Sequence, residues 1–460
     1  ISFRTSESVS VPANTSVPIG LTPVGSPDTV DGFTLQAPAA GETAVVTVNG
    51  VLSANSGSYN SVDSLTLQAQ KVTSSPGSSQ IGLAINHGSP DAPSIDVTET
   101  GVGSGPLASN LAYDTLTGFQ TLPVDDYQLE ITPNGADVPV VGRFDAPLST
   151  LGVGGSDIVV FASGFLKPAA NNNGPEFGLF AAVPGVGVVQ LDELTAQVQL
   201  IHNVPDPAAD SVDIFINGTR AFEDVEFRTA SPLDTVPGAG DIVVAVAAPG
   251  ASLSNALLTD TINLPADTAV VGVINGLVNT GNFSVNEDLA IHTNGLQTSA
   301  NAGETNVLAH HGSEDAGTVS IVNSDQSLSV NGVDYPAFSG YVPLTTRNDT
   351  LTVQQGGNDL ASFEANLSNL NLGGEAVTVI ASGLLEPGNQ QSGEAFGLIA
   401  VTPDTVVELP LIPEETSVQF IHNAPDIALS AIDLYDVSSG DKLVDSITFR
   451  SSTGFLPIQH

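Results

Sequence analysis

The chain is 460 residues long, with 50 acidic against 9 basic residues and a net charge of −41. Its length allows three or four domains, and a hydrophobic content of 41% excludes a globally disordered chain. So negative a surface repels nucleic acid and anionic lipid and makes both poor partners, and no run of about 18 apolar residues is present to span a membrane.

Residues 1–79 open on "ISFRTSESVSVP" and run through "TAVVTVNGVL", the wording of one repeat type, A. A second type, B, follows over 80–194, with "INHGSPDAPSIDV" around His87 and later "GGSDIVVFASGFLKP" and "FGLFAAV". A complete A repeat covers 195–304, carrying "IHNVPDPAADSVDIF" around His202, then "VEFR" and "TAVVGVINGL". B returns over 305–415 with "AHHGSEDAGTVSIV" around His311, "GGEAVTVIASGLLEP" and "FGLIAV". Residues 416–460 hold the front of another A repeat, "IHNAPDIALSAIDLY" around His422, and end on "ITFRSSTGFLPIQH". The four histidines stand 109 to 115 residues apart, about one small β domain each.

Before each histidine the apolar residues alternate: Ile81, Leu83 and Ile85 face one way, Gly82, Ala84 and Asn86 the other. Period two means a strand with one buried face, and the Ser/Pro/Asp cluster after it is a turn. Helical periodicity is absent apart from the short "FEANLSNLNL". The expected fold is all-β: a tandem array of immunoglobulin-like antiparallel β-sandwiches alternating between A and B types. The terminal segments hold the back and the front of an A repeat. They are expected to belong to a longer array or to be completed by neighbouring molecules. Residues 1–14 and 447–460 represent the same stretch, so both cannot fill one slot.

"HGSPDAPSIDV", followed by "LTGFQTLPVDDYQLEI", resembles the secreted prokaryotic domain-of-unknown-function family 4397. "FSGYVPL" and "STGFLPI" match its aromatic-Pro phrase, the 195–304 repeat lacks that phrase, and Glu314 replaces the motif proline at 305–415. The resemblance implies a secreted or cell-surface setting in bacteria or archaea, and no reaction. The absence of Cys, Met and Trp also suits a long-lived extracellular protein, since it excludes disulfides, thiol catalysis and oxidisable sulfur.

Three groups of residues are candidate sites. His87 with Asp91 and Asp96, His202 with Asp206 and Asp213, and His422 with Asp426 and Asp433 each offer one imidazole and two carboxylates to a metal. The competing reading, which we favour, is a histidine at a strand end bonded into the turn that follows; Ser320 replaces the second Asp at 305–415. Six arginines occur, and Arg4, Arg228 and Arg450 share one A-type position after Phe3, Phe227 and Phe449. There the strand is expected to send Phe to one face and Arg to the other, and the scarce cation to find a carboxylate, either as a clasp between neighbouring units or as a cross-strand pair. Asn14, Asn217, Asn282, Asn348 and Asn366 open N-x-S/T sequons. No cofactor is implied; calcium is the one cation that acidic turns such as "PVDDYQLE" suit, though no D-x-D-x-D-G loop occurs.

G-x-S-x-G, H-E-x-x-H and P-loop signatures are absent, so no enzyme is expected. The expectation is a structural subunit of an extracellular filament or surface fibre. It would assemble head to tail with copies of itself through repeated sandwich interfaces, or by completing split terminal domains. The alternative is the stalk or binding region of a cell-surface adhesin, with surface glycans or cations as partners.

Overall fold

The structure is a computed structural model that describes all residues except 23, 27, 28, 30, 53–64, 135–139, 279–287, 389–392, 414, 438, 439 and 460, and omits the side chains of 415–417 and 457–459. It is all-β: among the described residues the regular elements are strands and short 3-10 turns. Two compact units divide the chain, one ending at Gly295 and the other beginning at Leu296.

In the first unit, two hairpins come first: Ser16–Leu21 with Asp31–Gln36, and Ala44–Asn49 with Thr66–Lys71. A two-sheet sandwich follows. One sheet is centred on Gln80–Gly88 and Asp157–Ser163, the other on Asp126–Pro133 and Ile95–Glu99. Ile81, Leu83 and Ile85 from the first sheet meet Val97, Leu129 and Ile131 from the second in one core. Each such fully buried aliphatic side chain contributes about 1.5–3 kcal/mol. A second sandwich begins at Thr195, with Thr195–His202 and Ala269–Asn275 in one sheet and Ser211–Ile216 and Gly240–Ala247 in the other. In the second unit, sheets centred on Glu304–His311 and on Asn348–Gln355 form a further sandwich, and three short strand pairs lie between Glu415 and Gln459.

One strand pair in each sandwich departs from the antiparallel rule. Gln80–Gly88 runs parallel to Asp157–Ser163, Thr195–His202 to Ala269–Asn275, and Glu304–His311 to Ala376–Ser382. Parallel neighbours are central strands covered on both faces. That accounts for a second departure: Gly82, Ala84 and Asn86, expected on an open face, are buried. The preceding segment lies over them. A Cβ on Gly82 would collide with Ser74 Oγ, and one on Gly88 would stand 2.8 Å from Asn49 Oδ1. Small side chains here are a condition of that cover.

Candidate functional site

The histidine turn is built the same way four times. His87 Nε2 bonds the Pro93 carbonyl at 2.8 Å, His202 that of Ala209 at 2.6 Å, His311 that of Gly317 at 3.0 Å and His422 that of Leu429 at 2.6 Å. Each imidazole also meets an aromatic ring edge-on: Tyr113, Phe227, Tyr335 and Phe449, at centroid distances of 5.9, 6.3, 6.0 and 6.0 Å. His87, His202 and His311 are fully buried. Burial pushes the His202 imidazole down to about 4, against the opposing pull of its bond to Ala209, so the ring is neutral near pH 7.

The first aspartate has two uses. In the B-type sandwiches Asp91 accepts from Leu166 N, Lys167 N and Asn171 Nδ2, and Asp315 from Leu385 N and Glu386 N. It thereby ties the turn to a distant loop. In A-type segments Asp206 and Asp426 instead cap a 3-10 turn through Ala208 N and Ala428 N.

The second aspartate supports a bulge. Asp96, Asp213 and Asp433 accept from the backbone N–H of Asn110, Asp224 and Ser446, each in the left-handed region at φ 47, 51 and 55. At 305–415 Ser320 Oγ accepts from Gly332 N at φ 64. The serine keeps the hydrogen bond that a carboxylate makes elsewhere, which a metal ligand set would not tolerate. Among the described residues no group of three or more His, Asp or Glu side chains stands where it could hold a metal.

The arginine phrase corrects the strand expectation. Phe227–Arg228 and Phe449–Arg450 form tight turns, with Arg4, Arg228 and Arg450 at φ 57, 58 and 60. Phe227 and Phe449 pack against the histidines, and the arginine N–H closes the turn onto the histidine carbonyl, Arg228 N to His202 O and Arg450 N to His422 O. The guanidiniums of Arg228 and Arg450 lie 5.0 Å from the centroids of their own Phe rings.

Arg4 reaches from the segment before the first hairpin into the sandwich 80–194. Its Nη2 donates to the carbonyls of Ser163 at 2.9 Å and Glu176 at 2.5 Å, and its Nε to Ser163 Oγ. The guanidinium sits 4.2 Å from the Phe180 centroid and 4.8 Å from that of Phe3, whose ring is 63% exposed. The expected carboxylate partner is therefore replaced by carbonyl oxygens. Burial lowers the pKa of the guanidinium from its ordinary value.

Two joint residues were missed in the sequence. "AYDTLTGF" aligns with "EFRTASPL", and Asp114, at φ 60 with its N–H on the His87 carbonyl, occupies the arginine position. Its carboxylate accepts from Asn49 Nδ2 and Gln68 Nε2 of the preceding hairpin, so Asp114, like Arg4, ties its turn to a neighbouring segment. Arg143, 3% exposed, pairs with Glu130 and donates to the carbonyls of Gly238 and Asp241 in the next sandwich. Its counterpart in the other B repeat is Ser362, so no repetition advertised it.

Of the sequon asparagines, Asn14 is exposed, Asn217 Oδ1 accepts from Val243 N, Asn348 Oδ1 accepts from Ser368 Oγ, and Asn366 is half-buried. Asn282 lies outside the described residues.

Fold and joints define a protein of tandem β-sandwiches. Residues 196–322 match the family described as a domain of unknown function, DUF4397. No curated protein matches the chain. Among solved structures 11 chains match. One of them, the Bacillus anthracis TIE protein, has 10% identity and a TM-score of 0.14, over 69% of this chain and 54% of that one. The chain thus spans about half the length of that protein, and a likeness of this size carries no argument.

Proposed function

We propose that this chain is a structural segment of an extracellular filament or surface fibre, in which sandwiches follow head to tail and arginine holds the joints. The observation that supports this best is Arg143, a buried cation of one sandwich whose donors end on backbone carbonyls of the next. Carbonyl acceptors fix direction as well as distance, so such a joint resists bending. The repeated His–Asp turn fits the same reading, because its side chains are engaged in holding turns and bulges. An outer setting is supported by the acidic surface and the absence of sulfur. The chain has no catalytic role in this reading.

Negative-stain microscopy of the purified protein at low and high salt tests the proposal. Micrometre filaments are the expected result. Isolated rods of a few domains at every concentration would replace it with the adhesin-stalk reading.

A further inference from the structure

The two B-type sandwiches differ at one edge. "SNLAYDTLTGFQ" (109–120) aligns with "NGVDYPAFSGYV" (331–342) without a gap. Shared bonds fix the alignment: Thr117 Oγ1 accepts from Ile85 N at 2.8 Å, and Ser339 Oγ from Ala309 N at 2.9 Å. At 80–194 Gln120 Nε2 bonds the Leu107 carbonyl of the edge strand Gly105–Leu111 at 2.7 Å, and so spans from one sheet to the other. At 305–415 Val342 holds the position of Gln120 and has no side-chain donor to offer. An open groove of about 360 Å³ lies here, between the edge strand Ser329–Val333 and residues 337–342.

Two half-buried rings line the groove, and each is held in place. Phe338 packs on the buried His310, with ring centroids 4.3 Å apart. The Tyr341 hydroxyl accepts from Gln297 N at 3.3 Å. Beside the rings stand two exposed polar side chains, the Asn331 amide and the Asp334 carboxylate, the latter steadied by Thr318 Oγ1. The other B repeat has Leu116, Ser109 and Ala112 in the places of Phe338, Asn331 and Asp334. Ring, amide and carboxylate are therefore particular to 305–415.

We propose that this groove binds a neutral sugar ring of a glycan. The proposal goes beyond the fibre reading and does not rest on it. The volume falls within the range of about 300–1,000 Å³ usual for small-molecule sites. A pyranose presents an apolar C–H face and a rim of hydroxyls; the aromatic rings suit the first, the amide and carboxylate the second. Asp334 is the one charged residue lining the groove, and the chain carries a net charge of −41, so an anionic ligand is repelled. The edge is also blunted against an added peptide strand. It is bulged, Gly332 N donates to Ser320 Oγ, and Asn331 Nδ2 turns back to Ser329 Oγ at 2.7 Å. Finally, the groove lies away from the kind of joint that Arg143 makes. That joint leaves 80–194 from Gly142–Pro147, whereas Gly105–Leu111, the counterpart of Ser329–Val333, is the last strand at the other end of the same sheet.

Saturation-transfer NMR on the full chain tests this, with maltose, cellobiose and N,N′-diacetylchitobiose as neutral probes and a heparin-derived disaccharide as the anionic one. The expected result is transfer to the C–H protons of at least one neutral probe, saturating with concentration, and none to the anionic probe. Two variants borrow the residues of the other B repeat: Val342→Gln restores the span and Phe338→Leu removes a ring. Each abolishes the transfer while the melting temperature holds, and Asp334→Ala weakens binding several-fold. No saturable transfer to any neutral probe overturns the proposal. So does transfer that survives in both Val342→Gln and Phe338→Leu, and equal transfer to the anionic probe overturns the choice of a neutral sugar. Val342→Gln chains should still form filaments as the unaltered chain does, so the fibre reading and the sugar site fail separately.

Discussion

Gly240 and Arg143 belong to different sandwiches, yet a Cβ on Gly240 would stand 2.6 Å from the Arg143 Cζ. The joint depends on a missing side chain on one partner and a long one on the other. Gly240→Ala forces the buried guanidinium off its carbonyls and is expected to cost about 1–3 kcal/mol. Arg143→Ala strands Glu130 and two carbonyls, a loss of about 3 kcal/mol. Calorimetry checks both: the transition of the first unit should broaden or split as its two sandwiches uncouple.

Removal of a turn histidine acts within one sandwich. His202→Ala leaves the Ala209 carbonyl unbonded and the edge of Phe227 uncovered, an expected loss of about 3 kcal/mol by urea denaturation. Asp91→Ala frees the loop at Leu166 and Lys167, and should cost more than Asp206→Ala, which removes a single cap worth about 1 kcal/mol.

The same histidine sets a pH dependence. Its folded value, about 4, lies below the ordinary 6.5 because of burial, so the unfolded chain takes up the proton first as pH falls. Stability is complete above pH 6.5 and declines toward pH 4, by about 3 kcal/mol in all. His310, pushed down to about 3 by burial and by neighbouring His311, extends the decline in its own sandwich. Urea midpoints between pH 7.5 and 4 should fall steadily, and His310→Phe should flatten its sandwich's share.

Chelation separates structural aspartates from ligands. Melting in excess EDTA should match melting in calcium, because the motif carboxylates already hold N–H groups. Asp96→Ser should retain most of the stability that Asp96→Ala loses, since Ser320 performs that role in the other B repeat.

Salt should stabilise the chain. At a net charge of −41 its self-repulsion extends about 30 Å at 0.01 M salt and about 8 Å at 0.15 M. The melting temperature should therefore rise with sodium chloride, most steeply at the low end.

Much of the architecture was legible because repetition exposes it: the strand before His87 and the turn after it recur with the same wording, and period two in Ile81, Leu83 and Ile85 places the core. The outer face of the same strand was not legible. Gly82 and Ala84 look like an open face until the preceding segment covers them, a tertiary fact with no local signal. The arginines divide similarly. Repetition singled out Arg4, but its partners are carbonyl oxygens, which every residue owns, so residue identity could not point to Ser163 and Glu176. Arg143 stands alone in the sequence and was found only through its neighbours in space.

The choice of carbonyls at Arg4 has a consequence for a protein with 50 carboxyl groups. Acidification neutralises carboxylates, and every ion pair built on them lets go in turn. Peptide oxygens have no proton to gain in that range, and a guanidinium has none to lose. The fastening at Arg4 thus holds its grip while the surface around it discharges, like a rivet in a hull whose paint is dissolving.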